Sequence, residues 1–212
     1  MIRLATISVT VIGLLAAQAP ASARRLGPLP PHAKAPTGPT QCAFGAWQRW
    51  EGGAVRVMAA PDDRSALLGT LPVHDEKRDY PVYLDVIGTE PGWLHIAHAS
   101  DAPNDQAGHP RREVFAGEGW VSSDTVKIGV QSARGYLLPD AASPRIVDLG
   151  DRWLTEVYRI GEIHGCSGDW VLLTYHDDSD VRDMMTFGTA WFRGVCAIYE
   201  TTCDMKSVDT PG

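Results

Sequence analysis

The sequence lacks most of what marks a nucleic-acid binder, a membrane protein or an enzyme. Positive charge is scarce, with 19 Lys and Arg against 26 Asp and Glu and a formal net charge of −7. Nucleic-acid affinity rests largely on Lys and Arg neutralising phosphates. General binding to nucleic acid or to an anionic membrane is therefore disfavoured, although a local basic patch is compatible with the count. Beyond the N-terminus no apolar run approaches the ~20 residues that a membrane span needs. Helical periodicity is weak after residue 42. No nucleophile–base pair and no set of three metal ligands can be assembled, so the chain reads as non-enzymatic, with no metal and no cofactor.

What is present begins at the N-terminus. Met1-Ile2-Arg3 forms a short positive region, and Leu4 to Ala17 is almost wholly apolar and uncharged. Ala21-Ser22-Ala23 then places small residues where a signal peptidase reads. These three parts predict a secretory signal peptide over residues 1–23, cleaved after Ala23. Ala17-Gln18-Ala19 is a poorer site because Pro20 follows it. No cysteine lies near the cleavage point, so a lipoprotein anchor is not indicated. Removing Arg3 with the signal moves the balance from −7 to −8. A periplasmic or secreted protein is expected.

Residues 24–44 carry Pro28, Pro30, Pro31, Pro36 and Pro39. Proline fixes its own φ and donates no backbone hydrogen bond, which predicts an extended, poorly ordered linker. The remainder shows short apolar runs between Gly, Pro and Asp clusters, the pattern of many short strands, and it repeats. Val55-Arg56-Val57, the turn Ala60-Pro61-Asp62-Asp63-Arg64-Ser65, the strand pair Val82–Ile87 and Trp93–Ala97, and Gly117–Val121 make a first unit. A second unit follows in the same order. Leu137–Ser143 matches the proline turn, Ile163–Leu173 matches Val86–Ile96, and Gly188–Phe192 matches Gly117–Val121. The polar stretches Ala99–Gly117 and Asp177–Phe187 are expected to be loops at one end of each unit.

The pattern of Val55-Arg56-Val57 with Pro61, Gly92-Trp93-Leu94-His95-Ile96 and Gly119-Trp120-Val121 resembles the bacterial SH3-like domain, a small five-stranded β-barrel of exported bacterial proteins. In that family these places hold a V-R-x…P strand, a G-W-x-x-V strand, and a G-W-V strand before a single helical turn. The second unit departs from the family pattern. Tyr136–Leu138 replaces V-R-x, and Ala190 replaces the glycine before Trp191. The resemblance implies an all-β protein of two small SH3-like barrels in tandem, over residues 45–130 and 131–212, after the signal peptide and linker. A small barrel has a high surface-to-volume ratio, and tryptophans supply the aromatic bulk its core needs.

Several residues can carry chemistry. His95 and His98 have H-x-x-H spacing, but on a strand residues three apart point to opposite faces. A strand histidine and a loop histidine are expected. The acidic loop Asp177, Asp178, Asp180 and Asp183 lacks the glycine of a calcium loop and reads as a solvated cluster. His164 and Cys166 are close, but at a turn rather than a helix start. Trp93 and Trp170, embedded in alternating strands, are expected in the core, and Trp47 and Trp50 over the open end of the first barrel. Trp120 and Trp191 follow small residues at strand starts. They are expected to be partly exposed and are the candidate ligand-contact residues.

Four cysteines in an exported chain imply two bridges. Of three connectivities, Cys196–Cys203 with Cys42–Cys166 is favoured. The short loop is worth roughly 2.5 kcal/mol and the long one about 5 in the chain-entropy model. The resemblance further implies a non-catalytic exported binding module that contacts peptidoglycan or its peptide stems. Tandem sites would add avidity on a polymer. The alternative is a protein–protein adaptor or an inhibitor of a secreted enzyme in the periplasm. A small periplasmic hydrolase is a third, lesser reading.

Overall fold

The computed structural model describes residues 32–37, 39–49, 52–73, 82–101, 112–132, 134–148, 160–177 and 186–197. The signal peptide, Trp50, Cys203 and the acidic positions Asp178, Asp180 and Asp183 lie outside the described residues. The structure is nearly all β, and its larger sheet curls into a half-barrel. That sheet contains β1 (Thr40–Gln48), β2 (Val55–Met58), β3 (Leu67–Leu71), β4 (Tyr83–Glu90), β5 (Trp93–Asp101), β6 (Arg112–Ser122) and β7 (Val126–Lys127). Its strands run in the order β3-β2-β6-β5-β4-β1-β7. A 3-10 turn at Ser123–Thr125 follows β6, where the resemblance puts a helical turn. β8 (Gly129–Val130) starts a two-stranded ribbon that β14 (Val195–Cys196) completes. The expected boundary at residue 130 thus falls inside a ribbon joining the two halves of the chain.

The second sheet holds β9 (Arg134–Tyr136), β10 (Arg145–Asp148), β11 (Ile160–Ser167), β12 (Trp170–Asp177) and β13 (Thr186–Arg193). Its order, β10-β9-β13-β12-β11, repeats the order β3-β2-β6-β5-β4 of the first. The register matches at the tryptophans as well. Trp120 stands opposite Met58 and His95, and Trp191 stands opposite Tyr136 and Leu172. Each hairpin slips register twice, and one slip falls at the same position in both, between Val86 and Gly88 and between Ile163 and Gly165.

The two proline turns agree bond for bond. Ser65 Oγ accepts from the Ala60 N–H at 3.1 Å, and Ser143 Oγ accepts from the Leu138 N–H at 3.0 Å. Asp62 Oδ1 accepts from the Arg64 N–H at 2.9 Å, and Asp140 Oδ1 from the Ala142 N–H at 2.8 Å. An Asp bonding a backbone N–H two residues on mimics a backbone turn. Proline ahead of it fixes φ, so x-Pro-Asp-x-x-Ser folds the same way twice. The β4–β5 and β11–β12 hairpins close over Gly92 (φ 77°) and Gly168 (φ 59°), where a side chain would be strained.

One core serves both sheets. Val57, Leu84, Val86, Leu94, Ile96 and Val121 of the first pack in the same buried cluster as Ile163, Val171, Leu173, Tyr175 and Phe192 of the second. β1 ties them together. It pairs with β4 from Thr40 to Trp47 and with β7 at its end, while Cys42 bridges to Gly168 and forms a disulfide with Cys166 at a Cα–Cα distance of 5.4 Å. Thr40 Oγ1 lies 2.6 Å from Thr89 Oγ1 and accepts from the Cys166 N–H at 3.3 Å. Cys196 is also disulfide-bonded.

Several expectations need correction. Residues 32–37 of the proline-rich stretch are not a loose linker but pack on the second sheet, with Ala33 buried. The polar stretches expected as loops are partly strand, since β5 runs to Asp101, β6 starts at Arg112, β12 reaches Asp177 and β13 begins at Thr186. Trp191 is buried, for the reason given next.

Candidate functional site

Matching register makes Trp120 and Trp191 structural twins, yet their surroundings differ. Both lie on the sheet face opposite the shared core. On the second sheet that face carries its own apolar cluster of Ala33, Tyr136, Leu172 and Trp191, with Trp170 and Ile146 against it. Tyr136 meets Trp170 edge-on at 5.4 Å. The segment from His32 to Pro36 lies over this face. The Ala33 N–H donates to the Thr189 carbonyl at 2.8 Å, and the Thr189 N–H donates to His32 Nδ1 at 3.2 Å. Trp191 is left 3% exposed. Burial under a segment remote in sequence is the physical reason that its expected partial exposure fails. Beside it runs a cavity of about 530 Å³ lined by residues including Lys34, Pro36, Leu138, Pro139, Ser167 and Trp191.

On the first sheet the same face is built differently. Trp120 is partly exposed, as expected. His95, standing where Leu172 stands in the second sheet, stacks on its ring at 4.5 Å with the planes 8° apart. His95 Nε2 lies 3.4 Å from Glu118 Oε2, so a carboxylate two residues before Trp120 holds the imidazole. Stacking holds one face of the indole against the imidazole, and the ring stays partly exposed. Leu67, 54% exposed, stands opposite Met58 on β3, while Leu68, 51% exposed, reaches the other side of the sheet, its Cδ1 3.4 Å from the place a Cβ on Gly119 would take.

The two histidines do not form a metal site. A register slip at Ala97, set between the pairs Asp85–His98 and Val86–Ile96, resets the alternation of β5. Both His95 and His98 are therefore partly exposed, on the side away from Leu94, Ile96 and Ala99, rather than on opposite faces. They nevertheless diverge in partner. His98 sits between Asp85 (3.4 Å) and Glu113 (3.2 Å), while His95 meets Glu118. Among the described residues no group of three His, Cys, Asp or Glu side chains is placed to hold a metal ion. His164 Nε2 lies 2.7 Å from Thr174 Oγ1, and Cys166 is consumed in its disulfide, so these two do not pair as base and nucleophile.

Trp47 is 1% exposed and meets Tyr83 edge-on at 5.5 Å. Trp93 and Trp170 are only partly buried, more exposed than core residues, because both start strands at a hairpin rim. No family model, curated protein or solved structure matches this chain. Sequence reading missed His95 and Glu118 as partners of Trp120. The spacing Glu118-x-Trp120 was the available signal, because residues two apart on a strand share a face.

Proposed function

We propose that the chain is an exported, non-catalytic binding protein of two SH3-like units, and that it contacts peptidoglycan or its peptide stems through the face around Trp120. The observation that carries this reading is the partly exposed Trp120, stacked on His95 and flanked by Glu118, on a face whose twin is covered by the chain's own N-terminal segment. A fixed aromatic platform with a carboxylate and an imidazole at its rim suits sugar rings and short peptides, which offer both apolar faces and hydrogen-bond groups. The disulfide, and the lack among the described residues of any helix long and apolar enough to cross a membrane, are compatible with export.

With Trp191 covered, the proposal is for one contact per chain rather than two linked ones. Binding through stacking and hydrogen bonds responds little to moderate salt. Co-sedimentation of the mature protein with purified peptidoglycan tests the reading. Binding that survives 0.3 M salt and falls about tenfold or more in Trp120→Ala supports it. Absence of co-sedimentation at any salt contradicts it, and release of muropeptides contradicts its non-catalytic part.

A second reading, an adaptor or inhibitor with a protein partner, is favoured by the exposed Leu67, Leu68 and Val73 beside the same sheet. Contiguous exposed apolar residues mark protein contacts. Leu68→Asp separates the readings. It abolishes capture of a protein partner and leaves peptidoglycan binding within about twofold.

A further inference from the structure

The molecule contains its own example of what this face binds. On the second sheet the occupant is a short extended peptide, His32-Ala33-Lys34-Ala35-Pro36. Ala33 packs in the cluster of Trp191, Tyr136 and Leu172, and its N–H bonds the carbonyl of Thr189, two residues before the tryptophan. Lys34 lines the adjoining cavity together with Ser167. Pro36 closes on Gly165, where its Cδ lies 2.8 Å from the place a Cβ would take.

Strand order, and register at the tryptophans, carry these positions onto the first sheet. Trp120 stands for Trp191 and Met58 for Tyr136, and Glu118 lies two residues before Trp120 as Thr189 lies before Trp191, although β5 and β6 slip register there, between Ile96 and His98, and β12 and β13 do not. Ser167 pairs with Trp170 as Glu90 pairs with Trp93, so Glu90 stands for Ser167. Gly88 stands for Gly165, but there the Thr40 carbonyl of β1 lies 2.9 Å from the Cβ position, where the second sheet has a proline. The strand β1 therefore closes the first face one step earlier than the second.

We infer that the Trp120 face takes a short extended peptide with an alanine-sized residue over the indole followed by a basic residue directed at Glu90. A small side chain is required because the template buries an alanine, and a basic one because the hydroxyl of Ser167 is exchanged for a carboxylate. The occupant ends there, because Thr40 fills the place that Pro36 takes on the other sheet. This rests on, and narrows, the reading of the face as a wall-peptide site, by naming a small residue and a basic one as the peptide groups it takes.

Nuclear magnetic resonance titration of the isotope-labelled mature chain tests it, with the blocked peptides His-Ala-Lys, His-Ala-Glu and His-Leu-Lys as probes. The expected result is that His-Ala-Lys moves the Trp120 indole and His95 signals at millimolar concentration. His-Ala-Glu and His-Leu-Lys are expected to bind at least fivefold more weakly. Glu90→Gln, at a partly exposed position, is expected to leave the spectrum native and remove the preference for Lys over Glu. Three results would overturn the inference: no shift at Trp120, equal response to all three peptides, or a preference for Lys unchanged in Glu90→Gln. Loss of peptide binding with Trp120-dependent co-sedimentation retained overturns the inference alone. Peptide binding without co-sedimentation supports the inference and overturns the wall reading.

Discussion

The two sheets are built to one plan and finished differently, and the differences fall on both faces. On the inner face the cross-strand pair Val57–Gly69 of β2 and β3 becomes Gly135–Val147 in β9 and β10. Bulk has changed sides. A Cβ on Gly119 would lie 2.3 Å from Val57, so that position must stay bare. Its twin Ala190 carries a methyl because Gly135 has given up the space. Val121 is matched by the larger Phe192 for the same reason. Interiors pack at crystal-like density, so one enlarged side chain demands a smaller neighbour. On the outer face the exchange is of Leu172 for His95 and of Thr189 for Glu118. The second version is apolar and covered; the first is polar and open. Inner volume is kept while outer chemistry diverges: the second sheet holds a segment of its own chain, and the first leaves Trp120 partly exposed.

The comparison can be broken at several points. The largest effect is expected at the clamp that holds the N-terminal strand on the second sheet. Replacing Cys42 and Cys166 together by serine removes a bridge of sequence separation 124. The chain-entropy model gives a loss of about 5 kcal/mol. Urea denaturation of the double variant checks it, and a midpoint unchanged from the parent would remove β1 from its role as a tie.

Next comes the twin tryptophan pair. Trp191→Ala is expected to destabilise by about 3–5 kcal/mol, the range for a buried large aromatic. Trp120→Ala is expected to lose about 1 kcal/mol, the size of a single ring pair. Equal losses by calorimetry would mean that the two faces are equally covered. The inner-face trade is tested by Gly135→Val. The new side chain would meet Val147 Cγ1 at 2.2 Å from its Cβ and Ala190 Cβ at 2.6 Å, overpacking worth about 1–3 kcal/mol. Adding Val147→Gly and Ala190→Gly, which rewrites this site as Val57, Gly69 and Gly119, should recover at least half of the loss. No recovery would sink the equivalence of the two pairs. The smallest effect is in the turns. Ser65→Ala and Ser143→Ala should each lose about 1 kcal/mol, the worth of a typical hydrogen bond. Losses that differ by more than that would show that the two turns are not alike.

Much of this plan was legible in the residues. The repeat of Pro-Asp turns could be read because proline and aspartate act locally, so the same letters give the same bonds at Ala60–Ser65 and Leu138–Ser143. The alignment of Ile163–Leu173 with Val86–Ile96 held because strand alternation and the hairpin glycines are also local signals. The Cys42–Cys166 bridge was the favoured one of three connectivities that four cysteines allow, and loop length alone did not single it out. What stayed hidden depends on remote contacts. Nothing in His32–Pro36 distinguishes a proline-rich segment that docks from one that does not, because the deciding surface lies on β13, more than 150 residues away. The same blindness misplaced Trp191, whose small neighbours in sequence suggested an open site. The bulge at Ala97 was invisible too, because one extra residue changes which face a histidine takes without changing the composition of the strand.

The measurement that bears most directly on this account is residue-resolved oxidative footprinting of the tryptophans in the intact mature protein, with and without peptidoglycan. Trp120 should label readily in the free protein and be protected on binding, while Trp191 stays unlabelled in both states. Labelling of Trp191 as fast as Trp120 in the free protein, or co-sedimentation that leaves Trp120 unprotected, would contradict it.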